Sequence, residues 1–238
     1  MSLLELDHVS KRHRGRGRDV IVLDDGCLSI DPGELVAVWG IRHAGKTSLL
    51  RLAAGLDAPD AGTVTFDGYD LASEGERLLG RELAYCQGSS HLPGGRDALD
   101  DMLLGLLVNG LAPAEARVRA LKALARAGAE SLATRLPSEL DGADRARLAI
   151  AHALALGPRL VLIDEPVAGV DLHQRDSILL LLRSLADAGT AVLMTVGDAT
   201  GLTGADQAMT IGEGELTGSG KRALGVVSDL DARRRATG

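Results

Sequence analysis

The stretch Leu35-Val36-Ala37-Val38-Trp39-Gly40-Ile41-Arg42-His43-Ala44-Gly45-Lys46-Thr47-Ser48-Leu49-Leu50 decides how the rest of the chain reads. Leu35 to Trp39 is an apolar run too short for a stable helix and suited to a buried strand. Thr47 to Leu52 is patterned like the opening of a helix. Between them, Gly40 to Thr47 matches G-x-x-x-x-G-K-[ST] in full, in the strand–loop–helix setting that gives the match weight. Glycine lets backbone come close to a polyphosphate, and a helix N-terminus offers unpaired N–H groups and a favourable dipole. Lys46 can reach the outer phosphates, and the Thr47 hydroxyl can ligate Mg²⁺. The stretch points to a chain that binds a nucleoside triphosphate or descends from one that did.

Composition bounds the alternatives. With 238 residues the chain can bury a sizeable core, as one domain with two lobes or as two domains. Only one Trp, one Phe and two Tyr are present, so that core must be aliphatic. Twenty-six basic against 33 acidic residues give a formal charge of −7, which argues against general nucleic-acid binding through phosphate contacts. Cys27 and Cys86 form no C-x-x-C pattern, so a reducing compartment with no disulfide and no zinc site is expected. The N-terminus lacks the charged and apolar regions of a signal peptide, and no apolar run approaches a membrane span.

Working outward, Leu3–Val9 and Val20–Leu23 read as strands flanking the basic stretch Lys11 to Asp19, taken as a solvated hairpin loop with Gly15 and Gly17 in turns. Cys27–Ile30 reads as a further strand, separated from Leu35–Trp39 by the turn Asp31-Pro32-Gly33. A helix over about 45–54, strands over 62–66 and 83–86, and helices over 97–108, 113–127 and 141–156 follow. Leu160 to Ile163 is a run typical of a strand buried on both faces. A leucine-rich helix over 171–186, a strand over 191–195 and a hairpin over 209–217 complete the pattern, with a short helical tail over 221–238. Strands alternating with helices after Gly45 predict a parallel α/β sheet behind a β-rich N-terminal part.

The run ending at Ile163 delivers Asp164 and Glu165 to a strand's C-terminal end, where open α/β sheets bind ligands. An aspartate there can hold Mg²⁺, and the following carboxylate can act as general base toward water.

With these motifs in place the chain resembles the ATP-binding subunits of ABC transporters. The resemblance is carried by GIRHAGKT (40–47), Gln87, ELDGADRARLAIAHAL (139–154) and LVLIDEP (160–166). The flanking LLELDHVSK, VLDDGCLSIDPGELVAVWG and LDAPDAGTVTFDGYDL add to it, so that it covers about residues 3–218. Among subfamilies it is most similar to the lipoprotein-releasing and macrolide-export class. The resemblance implies a RecA-like phosphate-loop core with an N-terminal antiparallel β subdomain and an inserted helical subdomain near 90–157, the whole forming one domain over 1–220. It implies ATP and Mg²⁺ as ligands and a separate membrane permease as partner. It also implies a second ATP-binding subunit, identical or different, arranged head to tail so that each ATP lies between one chain's phosphate loop and the other's signature motif. The expected location is cytoplasmic, on the inner face of the membrane through the permease.

Carried over by position, Gly40, Ile41, Arg42, His43, Ala44, Gly45, Lys46, Thr47 and Ser48 would hold the nucleotide. Thr47, Gln87 and Asp164 would serve the metal, Glu165 would be the general base with Gln87 assisting, and Asp171 would cross the dimer interface. His13 stands where the family has an adenine-stacking aromatic; it either stacks or is an ordinary hairpin histidine.

Three positions depart from the family pattern. The signature L-S-G-G-Q is Leu140-Asp141-Gly142-Ala143-Asp144 here, which sets two carboxylates where a γ-phosphate would be capped. A carboxylate about 4 Å from a phosphate oxygen costs on the order of 4 kcal/mol per charge pair at an effective dielectric of 20. Asp141 also suits a helix N-cap. The switch pattern T-H-D is replaced by Thr195-Val196-Gly197-Asp198, with Gly197 in the histidine position. In the phosphate loop, Arg42, His43 and Ala44 replace small residues, and a positive φ at His43 would be strained. These departures imply ATP binding with weak hydrolysis in isolation. The alternatives are a regulatory nucleotide-binding module or one half of a heterodimeric ATPase.

Overall fold

The computed structural model describes residues 2–14, 19–87 and 95–219. Its centre is strand β3 (Leu35–Trp39), which lies in a six-stranded sheet of order β10-β9-β3-β8-β7-β6. Strands β6 (Leu83–Cys86), β7 (Leu160–Ile163), β8 (Ala191–Val196) and β9 (Gln207–Gly212) run parallel with β3, and β10 (Glu215–Ser219) closes the edge antiparallel to β9. The apolar runs are continuous because both faces of this sheet are covered. Alternation still sorts them: Leu35, Ala37, Val161, Ile163, Val192 and Met194 enter one core, while Val36, Val38, Leu160, Leu162 and Leu193 enter the other.

The first core is shared with four helices: α3 (Ala98–Val108), α4 (Pro113–Arg126), α5 (Gly142–Leu154) and α6 (Leu172–Asp187). Pro113 occupies the first turn of α4, and the Asp97 carboxylate accepts the Asp100 N–H at 2.8 Å to open α3. The second core holds helix α1 (Lys46–Ala53) and an antiparallel sheet of order β2-β1-β4-β5. That sheet is built from β1 (Leu4–Arg14), β2 (Asp19–Ile30), β4 (Ala61–Phe66) and β5 (Tyr69–Asp70). Phe66, the only phenylalanine, is buried there among aliphatic side chains. The structure is therefore the expected RecA-like α/β core with an antiparallel β portion.

Two local expectations are corrected. The stretch from Lys11 is not all loop: β1 continues to Arg14 and β2 begins at Asp19, with 15–18 outside the described residues. The predicted strands 20–23 and 27–30 are one strand, interrupted by irregular pairing around Asp25 and Gly26 that breaks the apolar alternation. Helix α2 (Leu71–Leu78) also forms, started by the Asp70 carboxylate on the Ala72 N–H at 2.9 Å. It is a single short helix with a glycine inside it, below what periodicity resolves. The tail predicted over 221–238 lies outside the described residues.

Candidate functional site

Three parallel strands end on the same side of the sheet and deliver the reactive groups. β3 runs into the phosphate loop, β7 into Asp164 and Glu165, and β8 into Gly197 and Asp198. Gly45 joins loop to helix with φ +101°, and a Cβ there would lie 2.8 Å from the Val22 carbonyl, so only glycine fits between β2 and the start of α1.

Lys46 is buried to 6% exposure, and its ammonium is enclosed by three oxygens: Gly40 O at 2.5 Å, Ile41 O at 3.1 Å and Glu165 Oε1 at 3.0 Å. The Thr47 hydroxyl donates to Asp164 Oδ2 at 2.6 Å. The Thr195 hydroxyl donates to Asp164 Oδ1 at 2.6 Å and accepts the Glu165 N–H at 3.0 Å. Thr195 is fully buried, so this one hydroxyl fixes both carboxylate-bearing residues against β8. Glu165 itself sits at φ +47°, a left-handed conformation that turns the chain sharply off the strand.

Gly45, Lys46, Thr47, Asp164 and Glu165 line a cleft of about 780 Å³, together with His13, Val20, Val22, Arg42, His43, Ala44, Ser48, Gln87 and Ala168; Thr195 lies behind it. Gly40 and Ile41 stand outside this lining and contribute carbonyls to Lys46, while the Ile41 side chain is exposed outward; Asp171 also stands outside it, at the start of α6. His13 Nε2 lies 2.9 Å from Ser48 Oγ, which holds the imidazole at the mouth beside the N-terminus of α1.

The model of the family described as "ABC transporter" matches residues 23–168, from β2 through the phosphate loop to the turn after Glu165. A curated relative, the lipoprotein-releasing system ATP-binding protein LolD of Chromohalobacter salexigens, is 37% identical over 220 residues, which cover 90% of this chain and 93% of the relative. The chain belongs to the ABC transporter family. Two solved structures share the fold of this ATP-binding member. One is the ATP-binding cassette MJ0796 in a dimeric post-hydrolysis state bound to ADP and Pi, with TM-score 0.80, 25% identity, and 93% of this chain and 100% of that one covered. The other is a dimeric structure of MJ0796 described as a bacterial ABC transporter cassette, with TM-score 0.78, 26% identity, and coverage of 90% and 96%.

The three departures from the ABC pattern have structural counterparts. Gly197 faces the carboxylate of Glu165: a Cβ there would lie 3.8 Å from Oε1. A side chain at this position would therefore stand beside Glu165, and glycine supplies none. Asp141 caps α5, accepting the Asp144 N–H at 2.8 Å, and that bond holds its carboxyl below the usual carboxylate range. The retained Gly142 has a packing reason, since a Cβ would lie 2.2 Å from the Gly169 carbonyl of the segment leading to α6. His43 adopts φ +67°, the strained conformation its position in the loop foreshadows. A left-handed non-glycine residue costs roughly 1–2 kcal/mol.

Sequence reasoning passed over Thr195 as a bridge, and Val20, Val22 and Ala168 as walls of the cleft. A threonine at the end of an otherwise apolar buried strand was the available signal, because a buried hydroxyl needs a partner. Asp198 is occupied elsewhere: it accepts from the Thr200 hydroxyl, which lowers its pKa, and pairs with Arg175 Nη1 at 3.0 Å.

Proposed function

We propose that this ABC ATP-binding subunit binds MgATP in the cleft around Lys46, hydrolyses it slowly, and drives a separate membrane permease as one of two paired cassettes. The observation that carries the reading is the convergence of a buried lysine, a hydroxyl and two carboxylates at one sheet end. A polyphosphate offers Lys46 the same kind of ligand that Glu165 and two carbonyls give it now: anionic or carbonyl oxygen at about 3 Å. The Thr47 and Asp164 oxygens suit a hard cation, with Gln87 on the rim as a further oxygen donor. Bound there, Mg²⁺ would neutralise charge on the phosphates.

The residue roles follow from these positions. Lys46 holds phosphate, and Glu165, released from Lys46 as phosphate takes over the ammonium, accepts a proton from water. Thr195 keeps both carboxylates in register with the loop. His13 and Ser48 sit at the base-binding side, where the imidazole offers less stacking area than tyrosine. Residues 1–220 form one ATP-binding domain with the helical insertion near 90–157. No helix among the described residues is long and apolar enough to cross a membrane. A cytoplasmic position on the inner face of the membrane, reached through the permease, accords with that.

Weak turnover is favoured by specific observations: Gly197 stands beside Glu165 without a side chain, and Asp141 and Asp144 occupy the signature. The same features fit one half of a heterodimer, in which an intact partner signature would serve this chain's Lys46 and Glu165. Calorimetric titration of ATP with and without Mg²⁺ tests the reading. Saturable one-to-one binding strengthened by Mg²⁺ is expected, and absence of binding would overturn it.

A further inference from the structure

Three irregularities disturb the β1–β2 pairing, and the first two shape the face of the antiparallel sheet away from its core. Leu6 opposes Leu28 and Val9 opposes Gly26, so Asp7 and His8 together face the single residue Cys27. Strict alternation would send Asp7 and His8 to opposite faces; the bulge, with His8 at φ +51°, places both on the exposed side. A second irregularity, with Asp25 at φ +53°, brings that carboxylate onto the same patch.

The result is a mixed donor set. One ligand atom from each of Asp7, His8 and Cys27 lies within 4.8 Å of the others. Asp25 Oδ1 stands 2.7 Å from His8 Nδ1, and because a carboxylate only accepts, it fixes the proton on Nδ1 and leaves the Nε2 lone pair of the neutral ring free. Nε2 faces Asp7 Oδ1 at 3.9 Å. The His8 backbone N–H points at Cys27 Sγ at 3.4 Å, a bond that a metal-bound thiolate accepts. Tetrahedral zinc, with bonds of about 2.0 Å to nitrogen and oxygen and 2.3 Å to sulfur, has ligand–ligand edges of roughly 3.3–3.7 Å. Small rotations of three exposed side chains close the observed spacing to that size. The carboxylate–imidazole pair is the outer-shell arrangement that orients metal-ligating histidines.

We propose that Asp7, His8 and Cys27 form a binding site for a divalent metal of the zinc class, with Asp25 orienting the imidazole and water completing the tetrahedron. The site ties β1 to β2 in the hairpin whose other end carries His13, Val20 and Val22 into the nucleotide cleft. It is independent of the phosphate-loop chemistry.

The test is Co²⁺ titration of the untagged full chain in reducing buffer with excess Mg²⁺, followed by Zn²⁺ competition. Cys86 is buried with its thiol pushed up to about 12, so thiolate-to-cobalt absorption reports on Cys27. One Co²⁺ with a thiolate charge-transfer band, displaced by Zn²⁺, is expected. Cys27→Ser should abolish the band. His8→Asn, which tolerates the left-handed backbone and so keeps the bulge, should weaken binding at least tenfold. Asp25→Asn should weaken it about tenfold. Asp7→Asn should weaken it at least tenfold, and MgATP binding, unchanged in all four variants, shows that they are folded. No band in the parent chain, a band that survives Cys27→Ser, or affinity unchanged in both His8→Asn and Asp7→Asn would overturn the proposal.

Discussion

Lys46, Thr47, Asp164, Glu165 and Thr195 are joined by a continuous set of short polar contacts, whereas Asp141, Asp144 and Gly197 share no such order around the nucleotide cleft. In the function proposed above, the first group holds phosphate and metal from within one chain. The second group stands where the family resemblance puts the surfaces that sense or cap the far end of the nucleotide. On that side one side chain is missing, and two carboxylates stand where neutral donors would serve. The contrast teaches how the proposed roles divide: the phosphate loop and the end of β7 would supply binding and the general base Glu165, while helix α5 and the end of β8 would limit turnover.

The contrast can be broken most severely at Lys46. Replacing it by alanine removes the only ammonium in the cleft among the described residues and leaves Glu165 without its ion-pair partner. Affinity for MgATP should fall on the order of 100-fold, as read by calorimetry. Next comes Thr195→Val, which strips Asp164 Oδ1 and the Glu165 N–H of a shared buried partner. Unfolding by denaturant should show a loss of about 1–3 kcal/mol, with a weaker metal dependence of nucleotide binding. The smallest expected effect is that of His43→Gly. It relieves the left-handed strain at φ +67° but adds backbone entropy to the unfolded chain, for a net gain of about 0.5–1 kcal/mol. A loss of stability there would mean that the imidazole has a role the strain account lacks.

Much of this was legible in the sequence because it depends on local order. The motif 40–47, the apolar run ending in Asp164-Glu165 and the alternation of strands with helices each carry their meaning within a dozen residues. What was hidden depends on pairs distant in the chain. Thr195 meets Asp164 across 31 residues, and Gly142 is required because the Gly169 carbonyl comes down on it. The β1–β2 hairpin misled for a different reason: its bulges interrupt the period-two pattern, so one strand reads as two and its basic end reads as loop. His13 was legible as a cleft residue, yet only the folded chain sets it against Ser48.

In the proposed function, charge at the signature, and not the phosphate loop, limits turnover. Asp141→Ser/Asp144→Gln tests it most directly, because serine still caps α5 and the helix start is preserved. Steady-state ATP hydrolysis and MgATP-dependent dimer formation should both rise, turnover by about tenfold or more. A folded double variant that binds MgATP normally, yet neither turns over nor dimerises better than the parent chain, would contradict the claim.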